Sequence, residues 1–340
     1  MPLSPVVVLT NWVHPEVLSH LRENLGQGCE VVANDSQEPL PPGELASRMA
    51  RADAMMAFMT DCVDDAFLRE APKLKVIACA LKGADNFDID ACMRHRVTVT
   101  FVPDLLTVPT AELTVGLTIG LARNLRHGDA MVRSGQFVGW KPVLYGSGLA
   151  GATLGVVGQG AVGRALVAPF AALGATVLAF DERPLEPESC TPARIVGLPD
   201  LLANSDVVVL ALPLNQHTDG LFNASMLAAM KPGALLVNPA RGSIVDESAV
   251  ASALESGHLG GYAADVFAFE DWAKPDRPKT IPPRLLAHHA TFFTPHLGSA
   301  VDDVRRAIAM SAAQDIIDVL AGRSSPNTLT SPATADMSHA

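Results

Sequence analysis

The chain predicts an α/β fold, and three observations predict it. Short apolar runs of strand length alternate with helix-like pieces through the first third. A second alternating series fills the middle and the later part. Between them a glycine-rich turn follows one apolar run and opens a helix. Apolar runs this short, with helical spacers, favour parallel sheets covered on both faces. At 340 residues the chain is too long for one ordinary core and suits two domains.

The elements follow in order. "VVVLT" reads as a buried strand and "PEVLSHLRENL" as a helix. "CEVVAN", "ADAMMAFMT" and "LKVIACA" read as strands, with "GELASRMAR" and "DDAFLREA" as helices between them. A long helical segment starts near Thr110, "TAELTVGLTIGLARNLRHGDAMVRSG", and a looser aromatic stretch, "QFVGWKPVLYGSGL", comes after it. The second series opens with "ATLGVVGQGAVGRALVAPFAALG". It continues through the strands "TVLAFD", "DVVVLALP", "ALLVNPA", "GYAADVF" and "ATFFTPH" to a last helix, "DDVRRAIAMSAAQDIIDVLAG". The tail is rich in Ser, Thr, Pro and Ala and is expected to be loose. No repeat of fixed period is present.

Composition bounds the function. Hydrophobic residues make up 49% and charged residues 18%, as in a globular protein. The net charge of -11 leaves no basic surplus to meet phosphates along a duplex, so no nucleic-acid partner is expected. A small anionic substrate needs only a local cluster of Lys and Arg. No signal peptide or membrane span is legible, which points to a cytoplasmic protein. Cys29, Cys62, Cys79, Cys92 and Cys190 are odd in number and scattered, and buried reduced thiols are expected rather than a metal site.

"LGVVGQGAVGRA" places Gly158, Gly160 and Gly163 in GxGxxG spacing, after a strand and at the mouth of a helix. The first glycine allows a tight turn, the second lets backbone approach a pyrophosphate, and the third lets helix pack on strand. The N-terminus of the helix, at Ala161 and Val162, offers free N–H groups to phosphates. The next strand ends in Asp181, whose carboxylate would accept both ribose hydroxyls of NAD and repel the extra phosphate of NADP. Glu182 adds to that repulsion and Arg183 opposes it. The cofactor expected is NAD, and the fold is two Rossmann-like or flavodoxin-like doubly wound domains with a cleft between them.

Three charged residues follow three strands: Arg241 in "NPARGSIVDE", Glu270 in "DVFAFEDW" and His296 in "TPHLGSA". Each alone has a bland reading as a turn or surface residue. Together, in order and downstream of a cofactor loop, they weigh against three unrelated surface residues. Asp246 and Glu247 are read as a helix start, where acids meet the positive dipole end.

With those runs quoted, the chain resembles the D-2-hydroxyacid dehydrogenase superfamily over nearly its whole length. Within it, "CALKGADNFDIDAC", "FVPDLLTVPTAEL" and "EDWAKPDRP" look most like the phosphonate (phosphite) dehydrogenases, which oxidise phosphite to phosphate with NAD. The resemblance implies that His296 is the proton acceptor, Glu270 its orienting carboxylate and Arg241 the clamp. It implies substrate contacts from Lys82, Gly83, Met59, Trp140, Tyr145 and Arg305. It implies nicotinamide-side contacts from Thr110, Pro213, Asp265 and Ser299. Lys82 would add a second cation, suited to a dianion. Ala84, Ala240, Asp302 and Asp303 depart from the phosphite pattern. A D-2-hydroxyacid dehydrogenase acting on glycerate or lactate is the alternative, and a non-catalytic NAD-sensing scaffold a more distant one. A homodimer is expected, as are a substrate domain of residues 1–104 and 306–340 and an NAD-binding domain of residues 105–305.

Overall fold

A computed structural model describes residues 4–26, 28–185 and 192–329. The tail expected to be loose starts at Arg323, but its first part is held: Ser325 Oγ donates to Asp315 Oδ1 at 2.7 Å and Leu329 N to the Val99 carbonyl at 2.8 Å; the rest of it, and Cys190, lie outside the described residues. The chain forms two compact units. The first comprises residues 1–106, 272–275 and 301–340, and the second residues 107–271 and 276–300. The expected break after residue 104 thus falls two residues later. The last helix, Asp302–Leu320, lies wholly in the first unit.

The first unit holds five parallel strands: β1 (Val6–Leu9), β2 (Glu30–Val32), β3 (Ala54–Ala57), β4 (Val76–Cys79) and β5 (Thr98–Phe101). Their order is β2-β1-β3-β4-β5, the flavodoxin-like winding. The sequence reading misses β5, because threonines interrupt the apolar run of "VTVTF" and it sits close behind the helix Ile89–Arg94. The helix Asp302–Leu320 buries Ile308, Ala312, Ala313 and Ile316 against Val7, Leu9, Met56 and Ala78, so it closes one face of this sheet.

The second unit holds seven parallel strands: β6 (Thr153–Val157), β7 (Thr176–Phe180), β8 (Arg194–Ile195), β9 (Val207–Leu210), β10 (Leu235–Asn238), β11 (Gly261–Ala264) and β12 (Thr291–Phe293). Their order is β12-β11-β10-β9-β6-β7-β8. The winding reverses between β6 and β9, and a doubly wound sheet binds its ligand at that switch, outside the carboxyl ends of its strands. The central runs are buried on both faces; Val207 to Leu210 are all buried. This is why they read as continuous apolar stretches rather than alternating ones.

Two expectations need correction. The long segment from Thr110 is two helices, Thr107–Ala122 and Leu125–Arg133. Asn124 between them is left-handed, at φ 54°, and its side chain donates to the carbonyls of Leu144 and Tyr145. An asparagine tolerates that conformation and ends the helix. The cysteines were expected to be buried, yet Cys62 is exposed and Cys29 half-buried; among the described residues only Cys79 and Cys92 are the buried thiols expected. Among the described residues no helix is long and apolar enough to cross a membrane, and no group of three His, Cys, Asp or Glu side chains could hold a metal ion.

Candidate active site

The glycine turn at the end of β6 is built as the spacing requires. Gly158 sits at φ +96°, where a side chain would be strained, and an added Cβ would lie 2.3 Å from the Ala211 carbonyl oxygen. At Gly163 an added Cβ would lie 2.0 Å from the Gly158 carbonyl oxygen, so the helix Ala161–Ala172 rests directly on the turn. At Gly160 an added Cβ would meet nothing within 4 Å. That open face, at the N-terminus of a twelve-residue helix, lets a phosphate reach the backbone N–H groups.

Asp181 follows β7 and closes this turn. One carboxylate oxygen accepts from Gln159 N at 2.7 Å, and the other accepts from Arg183 N at 3.0 Å and Nε at 3.1 Å. Burial pushes the carboxyl up, but the Arg183 guanidinium and the two backbone donors outweigh it and hold the group below the usual carboxylate range. The pairing explains how a nearby arginine coexists with an acid here: Arg183 is bound to Asp181. A turn free at Gly160, packed at Gly163 and ended by an ionised acid fits the diphosphate and ribose of NAD.

The three charged residues also stand beyond carboxyl ends of this sheet, after β10, β11 and β12. His296 Nδ1 lies 2.8 Å from Glu270 Oε2. The side chains are 28% and 22% exposed, so solvent screens the pair only in part. Glu270 is held from behind, since its Oε1 accepts from Phe267 N at 2.8 Å. One carboxylate therefore serves two donors and presents a fixed acceptor to the imidazole.

His296 has φ 55°, a left-handed conformation that costs a non-glycine residue energy unless its surroundings enforce it. Asp265 enforces it. Its Oδ1 accepts from Thr294 Oγ1 at 2.6 Å and Leu297 N at 2.7 Å, its Oδ2 accepts from Gly298 N at 2.8 Å, and its carbonyl accepts from His296 N at 2.8 Å. Burial raises the carboxyl of Asp265, and these donors work against that rise. Asp265 was expected as a cofactor contact; the structure adds that it holds the histidine turn. Thr110 stands beside this turn: its Oγ1 is 3.3 Å from where a Cβ on Gly298 would lie. Ser299 follows, half-buried. Pro213 is exposed after β9, and its carbonyl accepts from Thr218 Oγ1 at 2.6 Å.

Arg241 is half-buried, and its Nη1 donates to the Ala240 carbonyl at 2.9 Å. Asn238 Nδ2 in turn donates to the Arg241 carbonyl at 2.9 Å.

The remaining candidates spread further. Trp140 and Tyr145 lie in an irregular stretch of the second unit and are 82% and 77% exposed, so nothing in that unit buries them into a site wall. Lys82, Gly83, Met59 and Arg305 belong to the first unit. Lys82 Nζ donates to Asp104 Oδ1 at 2.9 Å, so its charge is partly offset. Met59 is half-buried and packs against the core beside β3. Arg305 reaches toward the Ala80 carbonyl, at 3.5 Å, and burial lowers its pKa.

Asp246 and Glu247 do start a helix, with Asp246 as its cap, accepting from Ser248 N and Ala249 N; what sequence reasoning missed is where Glu247 goes. Glu247 turns inward and is 5% exposed, with Oε1 accepting from Ala268 N at 2.8 Å. Two adjacent acids at a helix start look alike in sequence, and only the fold tells the cap from the buried one.

Residues 115–298 match the family described as D-isomer specific 2-hydroxyacid dehydrogenase, NAD binding domain. The chain is similar to a glyoxylate reductase of Thermococcus litoralis, 35% identical over 84% of this chain and 86% of that one. It is similar to a glyoxylate reductase of Aeropyrum pernix, 35% identical over 95% of each chain. Among solved structures it resembles the TT0316 protein of Thermus thermophilus, with a TM-score of 0.86 and 36% identity over 95% of this chain and 99% of that one.

Proposed function

The chain belongs to the D-isomer specific 2-hydroxyacid dehydrogenase family, and from that premise we propose that it transfers hydride between NAD and a small 2-hydroxy acid, as in the glyoxylate reductases to which it is similar. The observation that carries the reading is the 2.8 Å contact between His296 Nδ1 and Glu270 Oε2, on a turn built to hold the histidine. Bound NAD supplies the hydride acceptor. Glu270 keeps the proton on Nδ1, which leaves Nε2 as the base. Nε2 takes the hydroxyl proton as hydride leaves the carbon, and the carboxylate stabilises the imidazolium that forms. In the reducing direction the imidazolium returns that proton to the oxo group. Arg241 grips the substrate carboxylate with its fork of donors.

The proposal includes a homodimer. Its support is the stretch after the helix Leu125–Arg133, where Phe137, Val138, Trp140 and Tyr145 are exposed by 54% to 82%. Contiguous apolar exposure of this kind suits a partner surface. A cytoplasmic location and an anionic small-molecule substrate belong to the same proposal, and no nucleic-acid partner is part of it.

Phosphite is the second reading. Three segments favour it, "CALKGADNFDIDAC", "FVPDLLTVPTAEL" and "EDWAKPDRP", which resemble the phosphonate dehydrogenases. The named relatives weigh toward the hydroxy acid instead. So does Asp104, which offsets the charge at Lys82 that a dianion would use. One assay separates the two. Purified protein is given NADH with glyoxylate, and separately NAD with glycolate, D-glycerate, D-lactate or phosphite, while NADH is followed. Turnover with the oxo or hydroxy acids and none with phosphite is the expected result. NADH and phosphate formed from phosphite alone would replace the first reading with the second. Silence with every substrate, alongside tight NAD binding, would sink both.

A further inference from the structure

The loop that carries Arg241 and the loop that carries Glu270 are joined by a pair of buried carboxylates, one on each. Glu247, on the Arg241 side, accepts from Ala268 N at 2.8 Å through Oε1. Ala268 lies in the short helical turn Ala268–Glu270, two residues before the carboxylate that meets His296. Asp271, on the Glu270 side, accepts from Ser243 N at 2.7 Å through Oδ2. Ser243 lies two residues after Arg241. The two bonds run in opposite directions between the same two loops. Both acids are almost fully buried, at 5% and 4% exposure, where a hydrogen bond is not weakened by competing water.

A third contact lies between them. An added Cβ on Gly242 would fall 1.8 Å from the Phe267 carbonyl carbon and 2.0 Å from Ala268 N. The two backbones therefore touch at the residue next to Arg241, and the carboxylates lock them on either side. Asp246 already caps the helix Glu247–Glu255, so Glu247 serves the other loop rather than its own helix. What the pair supplies is register between one cation and one anion on separate loops.

We propose that Glu247 and Asp271 are positioning residues, a reciprocal clasp that sets the Arg241 guanidinium and the Glu270 carboxylate at a fixed spacing for the reaction. This rests on the proposed function, in which Arg241 and Glu270 act on the substrate. Burial supports it from a second side: it drives the Glu247 carboxyl up to about 7 against the Ala268 N–H bond, and the carboxylates of Asp271, Glu270 and Asp246 push the same way. An acid kept in such surroundings carries a cost that packing alone does not require.

The test uses the full-length protein with NADH and glyoxylate, and with NAD and phosphite. Glu247→Ala and Asp271→Ala remove the acceptors, while Glu247→Gln and Asp271→Asn keep a carbonyl oxygen for the same N–H. His296→Asn runs beside them. The alanine variants should lose tenfold or more in kcat with the Kd for NAD unchanged within threefold, and the amide variants should recover kcat to within threefold. A purely structural role would lower the melting temperature and leave kcat per folded molecule alone; that outcome, with His296→Asn inactive, overturns the clasp and spares the catalytic reading. Turnover retained by His296→Asn instead removes the catalytic reading itself. Should the alanine variants fail to fold, Glu247→Asp and Asp271→Glu decide: each keeps a carboxylate but moves it by one methylene, so a loss of tenfold or more in kcat per folded molecule upholds the clasp, and kcat near wild type in both overturns it.

Discussion

Glu270→Gln tests the histidine's proton most directly, because the structure dictates how the amide must sit. Glu270 serves two partners, Phe267 N through Oε1 and His296 Nδ1 through Oε2, each at 2.8 Å. A glutamine has one acceptor and one donor end. The Phe267 N–H can only donate, so it claims the carbonyl oxygen and turns the NH2 toward His296. Nδ1 must then accept, and the proton moves to Nε2. The imidazole is left in place with its base already protonated, and the carboxylate that would steady its cation is gone. A hydrogen bond to a charged group is worth about 1.5–3 kcal/mol. At about 1.4 kcal/mol per factor of ten, kcat should fall by roughly 10- to 150-fold from the lost stabilisation alone. Partial exposure of 28% and 22% trims this only modestly, and the wrong tautomer adds to it. Initial rates at saturating NAD, with NAD binding measured separately, give the answer. A Glu270→Gln variant within twofold of wild type in kcat would refute the assignment of Glu270 to His296.

Three further outcomes rest on the same geometry. His296→Asn should lose a hundredfold or more in turnover while its melting temperature stays close to wild type, since asparagine tolerates the left-handed φ of 55° that this position demands; near-normal rates would remove the base. Gly163→Ala should weaken NAD binding at least tenfold and lower the melting temperature by several degrees, because its Cβ would stand 2.0 Å from the Gly158 carbonyl oxygen and overpacking costs about 1–3 kcal/mol; unchanged affinity by titration calorimetry would contradict the turn geometry. Asp61 is 5% exposed, and burial pushes its carboxyl up to about 6 despite bonds from Thr10 Oγ1 and Phe58 N. The folded form thus holds a proton the unfolded chain has released, so stability falls as pH rises from about 4 to 6, by roughly 3 kcal/mol in all. Asp61→Asn keeps an acceptor for both donors and cannot titrate, so urea unfolding at pH 4 and pH 7 should show it gaining on wild type at the higher pH; a gap independent of pH would refute the shift.

Much of this site was legible before any coordinates, for a physical reason. A turn that must admit phosphate has room for glycine and little else, so Gly158, Gly160 and Gly163 announce themselves. Asp181, Arg241, Glu270 and His296 come after apolar runs too buried to be anything but strands, and a parallel sheet delivers the residues at its strand ends to one edge. The break at Asn124 was not legible, because apolar residues continue on both sides and one left-handed residue carries no periodic signature. Lys82 read as a spare cation, since its partner Asp104 is 22 residues away along the chain. β5 was lost because Thr98 and Thr100 break up the apolar run that marks the other strands.

Glu247 and Asp265 show the deeper limit. Glu247 reads as a helix start and Asp265 as a cofactor contact after a strand, and both prove to be buried and engaged with backbone N–H groups of other segments, which neither reading contains. A carboxylate that meets a side chain leaves a trace in sequence, because the partner must be a particular residue type. A carboxylate that meets backbone leaves none, because any residue supplies an N–H. The residues proposed to meet the substrate are therefore the readable ones, and the residues that hold them still are written only in the fold.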